Sequence, residues 1–439
     1  MVQNNLTLNL MIRPVQQGSY FNLPFNMPPD TEKLTLSYRY ERHREQERQT
    51  GSGAFIAKTE INIVDLGLIA PDGTQVGSSG SDKTEISVSA TSATPGYNPT
   101  PLVAGEWQII VGAYKVAPEG LPVVYELTFT PKHLRLLKGD LHTHTLASDG
   151  VLTAQELGQH ALRHGLDFVA ITDHNQPVTA DSLPKIPAIT LIPGLEWTHY
   201  LGHANFLGAE NPYDTPFTAN TIEEVTARFK MAQSRGALIV INHPHDEYCG
   251  FKFDTNTLPF DCIEIWNGPM REANLQAVDF WHRLLVAGKK IPALGGSDYH
   301  RDTLFKILGG PTTCVYAMSS SPADILSALK LGHAYITFAP NGPTLTLAAG
   351  DAIMGDTVTW SRDHKDLKIV AENLVRGDII RVLTGQSSEV LLEAPASGTF
   401  RGQYTMQAPG FARIEILRAF LPGLPMLSAL LSNPIYFDA

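Results

Sequence analysis

Between residues 136 and 340 the chain alternates short apolar segments with helical segments, and this alternation restricts its possible folds more than any other feature. The apolar segments read LKGDLH, FVAIT, TLIPGLE, ANFLG, ALIVIN, CIEIW and PALGGSD. Apolar strands that alternate with helices predict a parallel α/β arrangement. Seven such strands with helices between them favour a closed barrel over an open sheet.

Helix boundaries in this region are marked by capping residues. A threonine followed three residues later by a glutamate is the capping box that begins a helix, serine followed by proline is a second type of start, and glycine commonly ends a helix. The predicted starts are Thr153 with Glu156, Thr221 with Glu224, and Ser321 with Pro322, and the predicted ends are Gly165, Gly236 and Gly332.

The segments on either side of residues 136–340 have a different pattern. Residues 1–135 consist of short alternating runs such as LTLSYRY and WQIIVGAY, separated by residues that favour turns. This pattern predicts an antiparallel β-sandwich. The same alternation returns in residues 341–439, which are expected to form a second, smaller β domain. The sequence therefore predicts three domains, 1–135, 136–340 and 341–439.

Charge and composition exclude several classes of protein. The formal net charge of −11 offers no basic surface for nucleic acid. The three cysteines are widely spaced, which argues against a disulfide framework and favours a reducing compartment. The N-terminus lacks the basic and apolar regions of a signal peptide, and no apolar run approaches the roughly 20 residues of a membrane span. A cytoplasmic protein with neither nucleic acid nor membrane as partner is expected, and its oligomeric state is left open.

The histidines are concentrated where function is expected. Eleven of the fifteen lie between His142 and His300, and most follow the end of a predicted strand. In the segment Lys138–Gly150, KGDLHTHTLASDG, His142 and His144 are two residues apart, so in an extended chain they point to the same side. Asp149 follows a few residues later. Taken alone, this segment could equally be two surface histidines beside a turn.

Other predicted strands end in the same kinds of side chain. The residues at these positions are Asp173, His174, Glu196, His203, His243, Asp298 and His300. The carboxyl ends of parallel strands form the functional face of a barrel. Imidazole and carboxylate together suit zinc, manganese or iron. The recurrence therefore predicts a site for divalent metal.

The segments GDLHTHTLASDG, ITDHN, GLEWTHYLGHANFLG, INHP and GSDYH occur in that order. Together they resemble the successive motifs of the PHP (polymerase and histidinol phosphatase) superfamily. The third segment and the flanking β domains are most similar to its CehA/McbA-type metallohydrolase branch. The resemblance implies a distorted seven-stranded (β/α) barrel, flanked by sandwich-like domains and holding two or three divalent metal ions.

The resemblance also implies a ligand set for each ion. The first metal would take His142, His144 and Asp298, with Glu196 bridging to the second. The second would take His203 and His243, and the third would take Asp149, His174 and His300. Many relatives have histidine at the position of Asp149. A carboxylate is a harder ligand than an imidazole. Tyr299 stands where a small residue is usual, and it could narrow the pocket or contact substrate.

Several further residues are candidates for chemistry or substrate binding. Glu196 would set the spacing of the metal pair, and Asp298 could accept the proton of the attacking water. His199 or His245 could protonate the leaving oxygen. Asn175 is near the ligands in sequence and could touch substrate. Arg271, Arg301 and Lys306 are the nearby cations that could hold an anion.

These residues support three hypotheses of function. The first is a phosphoesterase in which a metal-bridging hydroxide attacks phosphorus in a small phosphorylated ester. The second is hydrolysis of a carboxylic or carbamic ester at the same site, which the scarcity of positive charge near the motifs keeps open. The third is a binding or assembly module without turnover. Degenerate relatives usually lose ligands, and all nine ligand positions here carry ligating side chains, so the third hypothesis ranks last.

Overall fold

In a computed structural model, the chain is described over residues 4–50, 53–214, 216–361 and 365–439. It divides into two compact units, Met1–His133 and Leu134–Ala439. The described residues form thirty strands, four α-helices and one short 3₁₀ helix at Pro14–Gln16. The coarse prediction of a mixed α/β protein is confirmed, although strands outnumber helices by far. The division into three domains stays a prediction.

The N-terminal unit contains ten strands. They are β1 (Asn5–Ile12), β2 (Ser19–Met27), β3 (Thr31–Arg39), β4 (His43–Thr50), β5 (Gly53–Glu60), β6 (Ile63–Ile69), β7 (Gln75–Ser79), β8 (Glu85–Ser89), β9 (Gly105–Lys115) and β10 (Leu121–Pro131). Two four-stranded antiparallel sheets have the orders β1-β10-β3-β8 and β2-β9-β6-β7, and β4 pairs with β5. Alternate side chains of both four-stranded sheets, such as Leu36 and Trp107, belong to one buried apolar cluster.

The first half of the second unit contains ten strands and all four described helices. The strands are β11 (Arg135–Asp140), β12 (Phe168–Ala170), β13 (Thr190–Ile192), β14 (Gly194–His199), β15 (Gly202–Leu207), β16 (Leu238–Ile241), β17 (Cys262–Asn267), β18 (Ala293–Gly296), β19 (Thr312–Ala317) and β20 (Ala334–Thr337). The helices are α1 (Ala154–Arg163), α2 (Ile222–Ser234), α3 (Glu272–Val286) and α4 (Pro322–Leu331). None of these helices is both long and apolar enough to cross a membrane.

The strands of residues 136–340 are not all parallel, which corrects the prediction from the alternating pattern. β11, β12 and β13 are parallel neighbours, as are β16, β17 and β18. By contrast, β14, β15 and β16 pair antiparallel, as do β11, β19 and β20. Helices separate only some of the strands. A fully buried strand is apolar on both faces whatever its direction, so the pattern could not show these reversals.

The last ten strands complete the second unit. They are β21 (Thr344–Ala349), β22 (Ala352–Ile353), β23 (Thr357–Thr359), β24 (Asp366–Leu374), β25 (Ile379–Thr384), β26 (Ser388–Glu393), β27 (Gly398–Thr405), β28 (Gly410–Arg418), β29 (Leu427–Ser432) and β30 (Ile435–Asp438). β29 pairs with β20, so one sheet continues from β11 through β19 and β20 into these strands. Cys314 of β19 and Tyr335 of β20 lie in the same apolar cluster as the C-terminal strands.

The three predicted helix starts are confirmed. The hydroxyl groups of Thr153, Thr221 and Ser321 each accept a hydrogen bond from a backbone N–H in the first turn of α1, α2 and α4. At the other end of α4, Gly332 has φ +78°, a conformation that glycine adopts without strain.

Candidate metal centre

At the end of β11, the buried carboxylate of Asp140 fixes the backbone of three neighbouring segments. Asp140 accepts backbone N–H hydrogen bonds from His142 at 3.3 Å, from Ser297 at 2.9 Å and from Gly309 at 2.8 Å. The ends of β11 and β18 are thereby tied together. His142 and His144 are both fully buried. Their ring centroids lie 5.3 Å apart, as the spacing of two residues in an extended segment predicts.

The turn after His144 brings Asp149 back toward His144. Asp173 accepts hydrogen bonds from the backbone N–H and the hydroxyl of Thr145, both at 2.7 Å, and from the hydroxyl of Ser148 at 2.7 Å. Gly150 allows the turn to close, because a Cβ there would lie 2.2 Å from the carbonyl oxygen of His144. The position of Asp149 is thus set by a tightly bonded turn.

Glu196, on β14, lies at the centre of the histidines and is only 1% exposed. Its Oε1 lies 3.2 Å from Nε2 of His142, 3.1 Å from Nδ1 of His203 and 3.4 Å from Nε2 of His243. Its Oε2 lies 2.7 Å from Nδ1 of His174. One carboxylate therefore contacts histidines from four different segments, the arrangement that a bridging ligand needs.

Asp298, which follows β18, joins the first two histidines. Its Oδ1 lies 3.5 Å from Nε2 of His142 and 3.2 Å from Nε2 of His144. Its Oδ2 lies 3.2 Å from Nζ of Lys306, and the same ammonium donates to its backbone carbonyl at 2.8 Å. Lys306 therefore holds this residue by both its side chain and its backbone.

Asp149 forms a more open group with two histidines. Its Oδ1 lies 3.1 Å from Nε2 of His300 and 3.6 Å from Nε2 of His174. The Asp149 side chain is 57% exposed, whereas those of Glu196 and Asp298 are 1% and 22% exposed. This group is the most accessible part of the cluster.

Several buried ligand atoms of the cluster lack a hydrogen bond of acceptable geometry. They are Nε2 of His142, both ring nitrogens of His144 and Oε2 of Glu196. Buried polar atoms normally have a partner, and those without one need an explanation such as a bound ion. Ligand atoms within reach of one ion occur in the groups His142–His144–Asp298, His142–Glu196–His243 and His144–Asp149–His174–His300. Chemistry and burial of these donors fit divalent cations.

The charges of the cluster stabilise one another. Burial by itself would raise the pKa of Glu196, but the adjacent His142, His174 and His203 outweigh it and hold that pKa well below its usual value. Burial would likewise raise the pKa of Asp298, but His142, His144 and Lys306 lower it. Both carboxylates therefore carry negative charge at neutral pH. This charge would attract a bound cation.

Backbone strain is also concentrated here. Asn175, His243 and Asp298 have φ values of +51°, +26° and +52°, a region that residues other than glycine rarely adopt. Strained backbone of this kind persists where the surrounding structure imposes it and clusters at functional sites. His243 and Asp298 are two of the predicted ligands.

Two of the other predicted residues have their polar groups engaged by the backbone. The ring of His199 lies against Trp197, with Nε2 2.9 Å from the carbonyl of Ala219 and Nδ1 accepting from the N–H of Leu201 at 3.0 Å. Asn175 donates to the carbonyl of Thr198 at 3.0 Å and accepts from its N–H at 2.9 Å. These contacts hold the end of β14 and leave neither residue directed into the cluster.

Tyr299 and His245 each pack beside an aromatic ring of a neighbouring helix. Tyr299 is 2% exposed and belongs to the apolar cluster beside α1, with its ring 5.9 Å from that of His160. Contact of Tyr299 with substrate stays a prediction. The ring of His245 lies 5.3 Å from that of Phe280 on α3.

The two predicted arginines lie at the surface. Arg271 pairs with Asp246 at 2.8 Å and donates to Oδ1 of Asn267 at 3.3 Å. Arg301 is exposed and lines a depression beside α1 together with Arg163. Neither contacts the ligand groups, so any role in binding substrate stays a prediction.

Sequence reasoning missed several residues that contact predicted ligands, among them Thr198, whose hydroxyl lies 2.7 Å from Nδ1 of His174. Glu264 of β17 lies 3.0 Å from Nδ1 of His142, and Asn242 donates to Oε1 of Glu196 at 2.8 Å. Cys249 Sγ lies 3.6 Å from Nδ1 of His243. Only Glu264 carried a signal in the sequence, namely a carboxylate within the apolar run CIEIW.

Comparisons with known proteins give partial matches. No protein-family model matches the chain. The chain is 33% identical over 107 residues to the 5'-3' exoribonuclease Rnm of Salmonella typhimurium, and 32% identical over 117 residues to that of Escherichia coli. These matches cover 22% and 23% of this chain, and 36% and 40% of the relatives. The predicted absence of a nucleic-acid partner is left without support, since these relatives are ribonucleases.

Among solved structures, the chain is similar to a two-domain protein of Bacteroides vulgatus that contains a predicted PHP-like metal-dependent phosphoesterase. The two are 18% identical with a TM-score of 0.39, and the match covers 67% of this chain and 95% of that one. The CehA/McbA-type branch stays a prediction.

Proposed function

We propose that the chain is a metal-dependent hydrolase of the PHP type, acting most readily as a phosphoesterase on a small phosphorylated ester. The observation that carries this proposal is the convergence of histidines and carboxylates around Glu196, with ligand atoms that are buried and lack hydrogen-bond partners. Structural histidines at the ends of strands would bond to nearby backbone, as His199 does.

We propose the ligand sets implied by the sequence motifs. The first ion would be held by His142, His144 and Asp298, and the second by His203 and His243, with Glu196 shared between them. A third would be held by Asp149, His174 and His300. When bound, such ions would polarise the ester and lower the pKa of the attacking water. Zinc, manganese and iron all suit this mixture of imidazole and carboxylate.

The chain's own residues would hold and orient the reacting groups. The 3.1–3.4 Å contacts of Oε1 with His203 and His243 support a bridging role for Glu196. Lys306 fixes Asp298 through two hydrogen bonds, so this carboxylate would be oriented to take a proton from water. A proton for the leaving oxygen would come from His245 or from solvent.

The seven-stranded barrel belongs to the same proposal. Isolated bridges pair Thr143 with Tyr299 and His174 with Glu196. These bridges support a distorted closure of two sheets around the ligand groups. A cytoplasmic location is proposed as well, supported by the three cysteines, which form no disulfide with one another.

A carboxylic or carbamic ester is the second candidate substrate, and one observation favours it. Of the three cations considered for binding an anion, two are already paired, Arg271 with Asp246 and Lys306 with Asp298, and the third, Arg301, is exposed. Paired cations would add little to the binding affinity for a phosphate dianion. A neutral ester carries no negative charge and does not need a cation to bind.

Activity of the full chain decides between these candidates. The protein would be stripped of metal, reconstituted with zinc, manganese or iron, and assayed on a phosphomonoester, a phosphodiester, a short oligonucleotide and a carboxylic ester. Metal-dependent turnover of a phosphoester that is higher than turnover of the carboxylic ester supports the first candidate. Full turnover in the presence of chelator would rule out both.

A further inference from the structure

We infer that Glu264 is a positioning residue of the metal centre, which determines through a hydrogen bond which ring nitrogen of His142 faces the ions. The inference rests on the proposed metal-dependent function and adds to it a residue that lies outside the ligand set. Glu264 lies in the middle of β17 and is only 3% exposed.

Two of the three hydrogen-bond partners of Glu264 are donors. Its Oε2 accepts from the backbone N–H of His243 at 3.0 Å and from Nδ2 of Asn267 at 3.1 Å. The orientation of the Asn267 amide is consistent with this, because its Oδ1 faces the guanidinium of Arg271, which can only donate. With both of these donors on Oε2, Oε1 is left to accept from the third partner, Nδ1 of His142 at 3.0 Å.

This bond sets the direction of the His142 ring. With a hydrogen on Nδ1, the lone pair of the neutral imidazole is on Nε2. That nitrogen lies 3.2 Å from Oε1 of Glu196 and 3.5 Å from Oδ1 of Asp298, and it has no hydrogen bond. Metal-binding histidines commonly donate their other N–H to a carboxylate, which fixes ring and tautomer.

Glutamine at position 264 separates this role from simple anchoring of the loop. Its single oxygen would be needed by the N–H of His243 and the amide of Asn267, so its NH₂ would face Nδ1 of His142. Nδ1 would then have to accept, and the hydrogen would move to Nε2, where it blocks metal binding. We expect Glu264→Gln to lower the affinity for divalent metal by about 10–100-fold.

Asp261 offers a matched control at the start of the same strand. It is also largely buried, accepts from the backbone N–H of Ile239 at 2.9 Å and pairs with Lys330 at 3.0 Å. Its loss removes a comparable carboxylate without touching a ligand. Asp261→Asn should therefore leave metal affinity unchanged while lowering stability.

The experiment uses the full chain, stripped of metal and titrated with Zn²⁺ or Mn²⁺ alone against a competing chelator. Circular dichroism checks the fold of each variant. In parallel, ¹⁵N spectra of histidine-labelled, metal-loaded protein report which nitrogen of His142 carries hydrogen, with the resonance assigned by its loss in His142→Gln. Wild type should show the hydrogen on Nδ1, and this reading requires no folded Glu264 variant.

Each outcome has one meaning. A Glu264→Gln protein that binds metal as tightly as wild type, or a wild-type His142 with its hydrogen on Nε2, overturns the inference but leaves the proposed function intact. A wild-type chain that takes up no divalent ion overturns the proposed function, and the inference falls with it. Weakened binding in Glu264→Gln, with Asp261→Asn unaffected, supports it.

Discussion

At the scale of single residues, the candidate site depends on one buried carboxylate that serves several partners. Glu196 is 1% exposed and contacts His142, His174, His203 and His243. A buried charge without compensation is strongly destabilising, so such a residue is kept only where cations or protonated histidines surround it. Its contacts with histidines of the first and second proposed ligand sets are consistent with a residue shared between two cations.

Replacing this residue should abolish function without unfolding the chain. Glu196→Gln has nearly the same shape but no charge and only one acceptor oxygen. Lewis-acid stabilisation contributes several kcal/mol and about 1.36 kcal/mol is tenfold in rate, so we expect turnover to fall by at least about a hundredfold. Turnover and metal content of the purified variant would be measured beside Glu210→Gln, an exposed control. A variant with half the wild-type rate would contradict the bridging role.

Asp246 is a residue whose contribution to the stability of the folded chain depends on pH. Burial would raise its pKa, but backbone N–H groups of Cys249 and Tyr248, the Cys249 side chain and Arg271 lower that pKa to about 2. Because the folded pKa is depressed, the stabilisation is present above the unfolded value of about 3.9 and is lost as pH falls through about 2. The relevant window is therefore acidic.

The matching prediction concerns Asp246→Asn. Its amide NH₂ would face Arg271 in place of an anionic oxygen, so we expect the free energy of unfolding to fall by about 1–2 kcal/mol at pH 7. This difference from wild type should be constant from pH 7 to pH 5 and should shrink below pH 4. Denaturant unfolding across this range would measure it, with the exposed Asp254→Asn as control. A difference that grows in acid would refute the assigned pKa.

At the scale of elements, the candidate ligands are placed by tight turns at the ends of strands. The turn from Thr145 to Gly150 is fixed by Asp173, and Gly150 passes so close to His144 that no Cβ fits. Such a close approach to backbone leaves no flexible group to move aside. The turn itself must shift if a larger residue is introduced.

Gly150→Ala should therefore act mainly on the third group of ligands. A Cβ placed 2.2 Å from the carbonyl of His144 would displace the turn that presents Asp149. We expect the bound metal to fall by about one ion per chain, as it should in Asp149→Ala, while the ions at Glu196 and Asp298 remain. Elemental analysis after dialysis would measure both variants. Unchanged metal content in both would mean that Asp149 is not a ligand and the cluster is binuclear.

At the scale of the whole molecule, the sequence predicted which histidines and carboxylates lie close together better than it predicted how the strands are connected; their role as metal ligands stays a prediction. Ligand positions follow from local order, because a histidine or carboxylate after an apolar run lies at a strand end. Strand direction and pairing depend on distant segments, such as β29, which pairs with β20 some ninety residues earlier. Glu264 was missed for the same reason, since only the register of β17 brings it to His142.

The last prediction separates the two compact units by their response to metal. Among the described residues, the groups that could hold an ion all lie between His142 and His300, within the unit Leu134–Ala439. A ligand at a hundred times its dissociation constant stabilises the folded state by about 2.7 kcal/mol. For a unit of this size that is a shift of roughly 5 °C in melting temperature. Chelation should therefore lower one calorimetric transition of the full chain by about this amount and leave the other in place. Leu36→Ala, in the buried core of the N-terminal unit, identifies the second transition by lowering it alone. Equal shifts of both transitions on chelation would contradict a metal centre confined to the second unit.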